Sequence, residues 1–159
     1  MKDSLNILNT RDIKKITEEL KKQYDIKELK FNYVFLKNNK NRIFITNKDI
    51  SKIDFSKIRV NGIGLYFANQ DKLGLRLTIE GTQLIGDKAN KNVLELSQED
   101  LENWFTGKDI ETNEKLEGFI ILKHKKDFLG TGNYSNGKIY NYISKERYVK
   151  FKNDGISNR

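Results

Sequence analysis

The sequence contains no cysteine and no proline, and only one histidine, one methionine and one tryptophan in 159 residues. Without cysteine there is no disulfide, no thiolate zinc site and no cysteine nucleophile. That absence fits a reducing compartment, and a cytoplasmic location is expected. His124 stands alone in "ILKHKK". Its neighbours are Lys123, Lys125 and Lys126, and no positioned partner for acid–base work is apparent. The acids are scattered, without an Asp-x-Asp type of loop. No metal, no cofactor and no enzymatic activity are expected. No apolar run reaches 18 residues, and "MKDSLNILNTRD" lacks the apolar stretch of a signal peptide. Neither a membrane span nor a secretory leader is expected.

What the chain does carry is charge. Thirty cations face 22 acids for a net +8, with arginine sparse among the lysines. The charge is unevenly placed. Residues 1–88 carry a net +7, residues 89–117 a net −5, and residues 118–159 a net +6. A polyanion site needs local positive charge, so this asymmetry says more than the total.

Periodicity and turn signals outline an α+β chain. Ile13, Ile16, Leu20 and Tyr24 share one helical face, which predicts a helix over 11–24 capped by Thr10. "FNYVFLK" and "RIFIT" read as paired strands across "NNKN", and "NKDISKID" as a short helix or turn. "VNGIGLYFA" and "GLRLTIEG" form a second strand pair, with Leu75, Leu77 and Ile79 alternating against Arg76, Thr78 and Glu80. "GTQLIG" suits a single helical turn, and the polar "DKANKN" a linker near residues 87–91. "VLEL" is a short strand. Ser97 with Asp100 three residues on marks a helix start, and Gly107 its stop. From Gly118 the chain is strongly β: "GFIILKHK", "DFLGTGNY" and "KIYNYI", the last two joined by an Asn-Gly turn. Short strands bent at glycine predict a small barrel.

"GTGNYSNG" is no phosphate loop, since no Lys-Ser or Lys-Thr follows and it lies between strands. The positive signal is the mixture around it. Lys123, Lys125, Lys126, Lys138, Lys145, Arg147 and Lys150 interleave with tyrosines, and hairpin folding could gather them. Lysines attract phosphate, while Tyr134 and Asn141 could stack on or hydrogen-bond exposed bases. Tyr140 and Tyr142 share one face, either buried or outward together.

The run "GFIILKHKKDFLGTGNYSNGKIYNYISKERYV" resembles the PUA domain that closes RsmF-type rRNA cytosine-C5 methyltransferases. Gly118, Phe119, Leu129, Gly130 and Gly132 match the first part of that pattern. Gly137, Asn141, Lys145 and Arg147 approximate the second, with Ser144 where the pattern has proline. "ELSQEDLENWFTGKDIE" resembles the helix before it. "NYVFLKNNKNRIFITNKDISKI" and "GIGLYFANQDKLGLRLTIEGTQLIG" resemble the pre-PUA domain of the Nip-seven ribosome-biogenesis family, through Gly64, Phe67, Leu75, Arg76, Leu77 and Leu84.

The resemblance implies a pre-PUA-like domain over residues 1–88 and a PUA-like RNA-binding domain over residues 89–159. It implies a non-catalytic protein that binds rRNA or tRNA in ribosome biogenesis or RNA modification. Lys145 and Arg147 are the positions it assigns to RNA. A protein-interaction adaptor is the alternative, recruiting a separate RNA methyltransferase or assembly factor through the acidic helix and an exposed Trp104 face.

Overall fold

The computed structural model describes residues 4–49 and 63–149. Lys150 and most of "NKDISKID" lie outside the described residues. Among the described residues two five-stranded sheets carry the fold, with helices beside them, and the second sheet curls as a half-barrel.

The first sheet is an antiparallel meander in the order β1 (Leu5–Ile7), β2 (Val34–Asn38), β3 (Arg42–Thr46), β4 (Leu65–Asp71), β5 (Gly74–Leu77). Helix α1 (Thr10–Tyr24) belongs to the same core. It is capped by Asn9, not by Thr10. Asn9 has extended backbone and its Oδ1 accepts from the Asp12 N–H at 2.8 Å, whereas Thr10 is already helical. A cap must sit outside the helix to reach the free N–H groups of the first turn. Ile16, Leu20 and Tyr24 are buried at helical spacing, as the periodicity predicts. They meet a trio of edge-to-face rings, Phe31, Phe35 and Phe67, whose centroids are 5.2 to 6.0 Å apart.

β5 stops at Leu77, three residues short of the expected alternation. Thr78 turns the chain, its Oγ1 accepting from the Gly81 N–H at 3.0 Å, and α2 (Ile79–Ile85) follows. Ile79 is therefore helical. A cap of about 1 kcal/mol outweighs the weak strand preference of a short alternating run. The segment after α2 is not a free linker. It begins with a 3-10 turn, Gly86–Lys88. The backbone N–H groups of Asn90 and Lys91 then both bond to the Tyr24 carbonyl. The side chains of Asn90 and Asn92 bond to the carbonyls of Asp25 and Gln23. Asparagine amides satisfy the open C-terminal end of α1 and pin the polar segment there.

The second sheet has the order β6 (Val93–Glu95), β8 (Phe119–His124), β9 (Asp127–Ser135), β10 (Lys138–Asn141), β7 (Ile110–Glu111). β6 runs parallel to β8, and the other pairs are antiparallel. Helix α3 (Gln98–Phe105) starts at Ser97, whose Oγ accepts from the Asp100 N–H at 3.1 Å. Asn136 and Gly137 both have positive φ, which the two-residue β9–β10 turn requires.

The strand β8 explains why "FIIL" is unbroken by polar residues. All four side chains are buried, Ile121 in the core shared with α1 and the first sheet, Ile120 and Leu122 in the core around Trp104. A strand walled on both faces has no wet side to mark. Opposite it, β9 carries a bulge. Ile121 pairs with Thr131 and Lys123 with Phe128, so Leu129 and Gly130 together face Leu122. Gly130 adopts φ +99, which a residue with Cβ avoids. The bulge turns two backbone groups out of the ladder. The Leu129 carbonyl accepts from Trp104 Nε1 at 3.1 Å, and the Gly130 N–H donates to Thr82 Oγ1 at 3.0 Å. Thr131 Oγ1 donates to the Leu77 carbonyl at 2.8 Å. One bulge thus fastens α3, α2 and β5 to the same strand.

Candidate nucleic-acid interface

The cations singled out from the sequence do not form one patch. Lys125 and Lys126 occupy the β8–β9 turn, whereas Lys138 begins β10 beyond the opposite end of β9. Eight residue steps along β9 separate those ends by about 27 Å at strand rise. Lys123 is half-buried with its Nζ 5.4 Å from the Phe128 ring centroid. The Lys125 backbone N–H bonds to Glu95 Oε2. Lys138 lies in an acidic hollow with Glu99, Asp100, Asp109 and Glu111, an unfavourable field for phosphate. Tyr134 is half-buried against the Trp104 core.

Asn141 has a structural task. Its Nδ2 donates to the carbonyls of Trp104 and Lys108 at 2.7 and 2.9 Å, and its Oδ1 accepts from the Ile143 N–H at 2.8 Å. Both amide protons are committed before any base arrives. Trp104 is fully buried, so the exposed Trp104 face expected for an adaptor does not exist. Its indole instead fills the second core, because the α3 face carrying Leu101 and Phe105 turns inward. Tyr140 and Tyr142 both point outward, 43% and 44% exposed.

Arg147 and Lys145 lie together on a 3-10 turn, Lys145–Arg147, beyond β10. That turn borders a cleft of about 250 Å³ whose lining includes Arg42, Tyr66, Arg76, Tyr142, Ser144 and Arg147. The first sheet supplies one wall. Arg42 and Arg76 both register against Asn69, so the three form a row across β3, β4 and β5. Two strand spacings place the arginine backbones about 9.5 Å apart. The Arg42 guanidinium carbon lies 5.5 Å from the Tyr66 centroid, and that of Arg76 lies 4.8 Å from the Tyr142 centroid.

Lysine outnumbers arginine 24 to six in the chain, yet three of the four arginines among the described residues line this cleft. Arginine stacks on rings and grips phosphate in a fork, which lysine does not. Among the described residues, neither Arg42 nor Arg76 has a carboxylate at ion-pair distance. Nε of Arg76 is buried with no acceptor among the described residues. Sequence reading missed Arg42, Arg76, Tyr66 and Tyr142 as a group. They come from separate strands and loops, and only register and the closure of the two sheets unite them.

Arg147 is held differently. Its two Nη groups donate to the two oxygens of Glu80 at 2.9 and 2.8 Å, linking the 3-10 turn to the first turn of α2. These hydrogen bonds hold the Glu80 carboxyl below the usual carboxylate range, against the opposing effect of desolvation. A lowered folded value means that the bridge stabilises fully above the unfolded pKa of about 4.3 and is lost as pH falls through the folded value. The side chains are 45% and 30% exposed, so solvent screening keeps the contribution below about 1 kcal/mol. Glu80→Gln is expected to lower stability by that amount at neutral pH. Urea unfolding across a pH series should show the gap from wild type closing in acid. A gap that persists at the acid end would contradict the assignment.

Among the described residues no group of three His, Asp or Glu could hold a metal ion, and no helix is long and apolar enough to cross a membrane. Comparison with known proteins places the second sheet. Residues 91–148 match the family model of the methyltransferase RsmF PUA domain. The chain is 30% identical over 91 residues to ribosomal RNA small subunit methyltransferase F of Aeromonas salmonicida (strain A449), covering 57% of this chain and 19% of that protein. It is 31% identical over 91 residues to the protein of the same name from Aeromonas hydrophila, with the same coverage. With the protein of that name from Aliivibrio salmonicida (strain LFI1238), 23% identity extends over 140 residues, 88% of this chain and 29% of that one. That alignment is too long to be confined to residues 91–148. The chain nevertheless spans less than a third of the length of these relatives. Residues 91–148 are a PUA domain that resembles the C-terminal region of the RsmF methyltransferases.

Proposed function

We propose that the protein binds structured RNA, rRNA or tRNA, by electrostatic docking in the course of RNA modification or ribosome assembly in the cytoplasm. The observation that carries this reading is the arginine cleft beside the PUA domain: three arginines and two tyrosines in a chain otherwise poor in arginine. The relatives' name, a small-subunit rRNA methyltransferase, supports rRNA as the class of partner. The residues described carry the binding and not the methyl transfer, so a methyltransferase would be supplied by another domain or another chain. Lys145 supplements the arginines from the same turn, and Lys123, Lys125 and Lys126 form a separate basic end that longer RNA reaches.

Phosphate contacts from Arg42 and Arg76, with Arg147 already paired to Glu80, predict that log K falls against log salt with a slope of about −1.4 to −1.8. Titrating a fluorescent rRNA fragment by anisotropy at several salt concentrations checks this. A flat dependence, or no RNA binding at low salt, would overturn the reading. Reversing charge at Lys145 and Arg147 separates it from the adaptor alternative: RNA binding should fall while any association with a methyltransferase or assembly factor persists.

A further inference from the structure

The geometry points to a more specific ligand for the cleft: one unpaired nucleotide of an RNA strand, held by its phosphate and its base together. This inference rests on the RNA-binding reading. The volume, about 250 Å³, is at or just below the small end of ligand pockets, about 300–1,000 Å³, and suits one nucleotide, not a duplex face. The chemistry is mixed in the way a nucleotide is mixed. Arg42 and Arg76 each lie over a ring, which steadies the guanidinium and leaves N–H groups for phosphate oxygens. The buried Nε of Arg76 has no acceptor among the described residues, and an anion would satisfy it once the side chain shifts toward the cleft. Tyr142 is nearly half exposed at the cleft, and a base would stack on the part of its ring that Arg76 and Phe119 leave uncovered.

Two further groups fit the same ligand. Ser144 lines the cleft and its hydroxyl makes no capping bond to the turn it precedes, so it is available to a phosphate or ribose oxygen. Glu80 occupies Arg147 in a two-oxygen fork, the geometry that a phosphate would also adopt. In the unliganded protein Glu80 neutralises the third arginine. A phosphate that enters competes for it, so Glu80 sets a threshold that weakly charged ligands do not pass. A nucleotide in a duplex cannot present its base face to Tyr142, because both faces are stacked, and is excluded on geometry.

The test uses the full chain and two RNA hairpins of matched length, one fully paired and one carrying a two-nucleotide bulge. Anisotropy titrations are compared for wild type, Tyr142→Ala, Tyr142→Phe, Arg42→Gln and Glu80→Gln, with circular dichroism confirming that each variant is folded. Wild type should prefer the bulged hairpin by about tenfold, within the range of one aromatic–base stack. Tyr142→Ala should abolish the preference, weakening the bulged hairpin about tenfold more than the paired one, and Tyr142→Phe should keep it. Arg42→Gln should weaken the bulged hairpin more than the paired one. Glu80→Gln should strengthen bulged-hairpin binding.

Equal affinities in wild type, or a preference that survives Tyr142→Ala, would overturn the nucleotide pocket while leaving general RNA binding intact. Failure of both hairpins to bind would instead overturn the RNA reading itself. Competition by poly-glutamate as strong as that by the bulged hairpin would show that the cleft takes acidic peptides, and would also overturn the pocket.

Discussion

Trp104→Ala is expected to lower the unfolding free energy by about 3–5 kcal/mol, the range for truncating a buried aromatic. The indole is fully buried and packs in the cluster of Leu94, Leu96, Ile110, Ile120, Leu122, Leu129 and Ile139. It also carries a hydrogen bond. The Leu129 carbonyl lies at the β9 bulge, where the ladder with β8 skips, and Trp104 Nε1 is its donor. Trp104→Phe keeps most of the apolar volume but leaves that carbonyl unpaired, at about 1–3 kcal/mol. Urea unfolding of both variants separates the two contributions. A phenylalanine variant as unstable as the alanine one would mean that the hydrogen bond, not packing, dominates. An alanine loss below about 1 kcal/mol would place Trp104 among surface residues and contradict the fold.

Gly132→Ala should cost about 2–3 kcal/mol, although its backbone conformation suits any residue. The obstacle is space. A Cβ at Gly132 would press into Ile139 Cγ2 and the Tyr140 carbonyl and would meet Trp104 Cη2 at 2.9 Å. The Tyr140 carbonyl is backbone of the neighbouring strand, where Asn141 pairs with Gly132, so it cannot turn aside. Removing the indole relieves one of the three collisions. In a double-mutant cycle, Gly132→Ala and Trp104→Ala should therefore be less than additive, by about 0.5–3 kcal/mol. Additive losses would show that the glycine and the indole do not share a contact.

These two residues illustrate how a motif can be legible while its reason is not. The Leu-Gly-x-Gly run, Leu129 to Gly132, reads in the sequence as a bend between strands and as the matching part of a PUA pattern. Its physical content is divided. Gly130 serves a bulge at positive φ, and Gly132 makes room for a tryptophan 28 positions earlier in the chain. Only the first of these is a local matter of the kind that sequence reading anticipates. Asn141 teaches the same lesson from the other side. An exposed-looking asparagine between tyrosines suggested a base contact, whereas its amide closes the end of α3 and the following loop.

What the sequence by itself determined is what short-range chemistry controls. Ser97 with Asp100 specified a helix start, Asn136-Gly137 a tight turn, and Ile16, Leu20 and Tyr24 a buried helical face. These need only neighbours within a few residues, and their energies act before the chain closes. The tertiary structure decided whatever depends on register and on which sheet meets which. It sent Trp104 inward, turned Ile79 into a helix, separated Lys126 from Lys138, and pinned the asparagines after α2 to the end of α1. It also gathered Arg42, Arg76 and Arg147 at one cleft. Each comes from a different stretch of sequence. They become a site because strand pairing aligns the first two through Asn69, and because Glu80 draws the third across to α2.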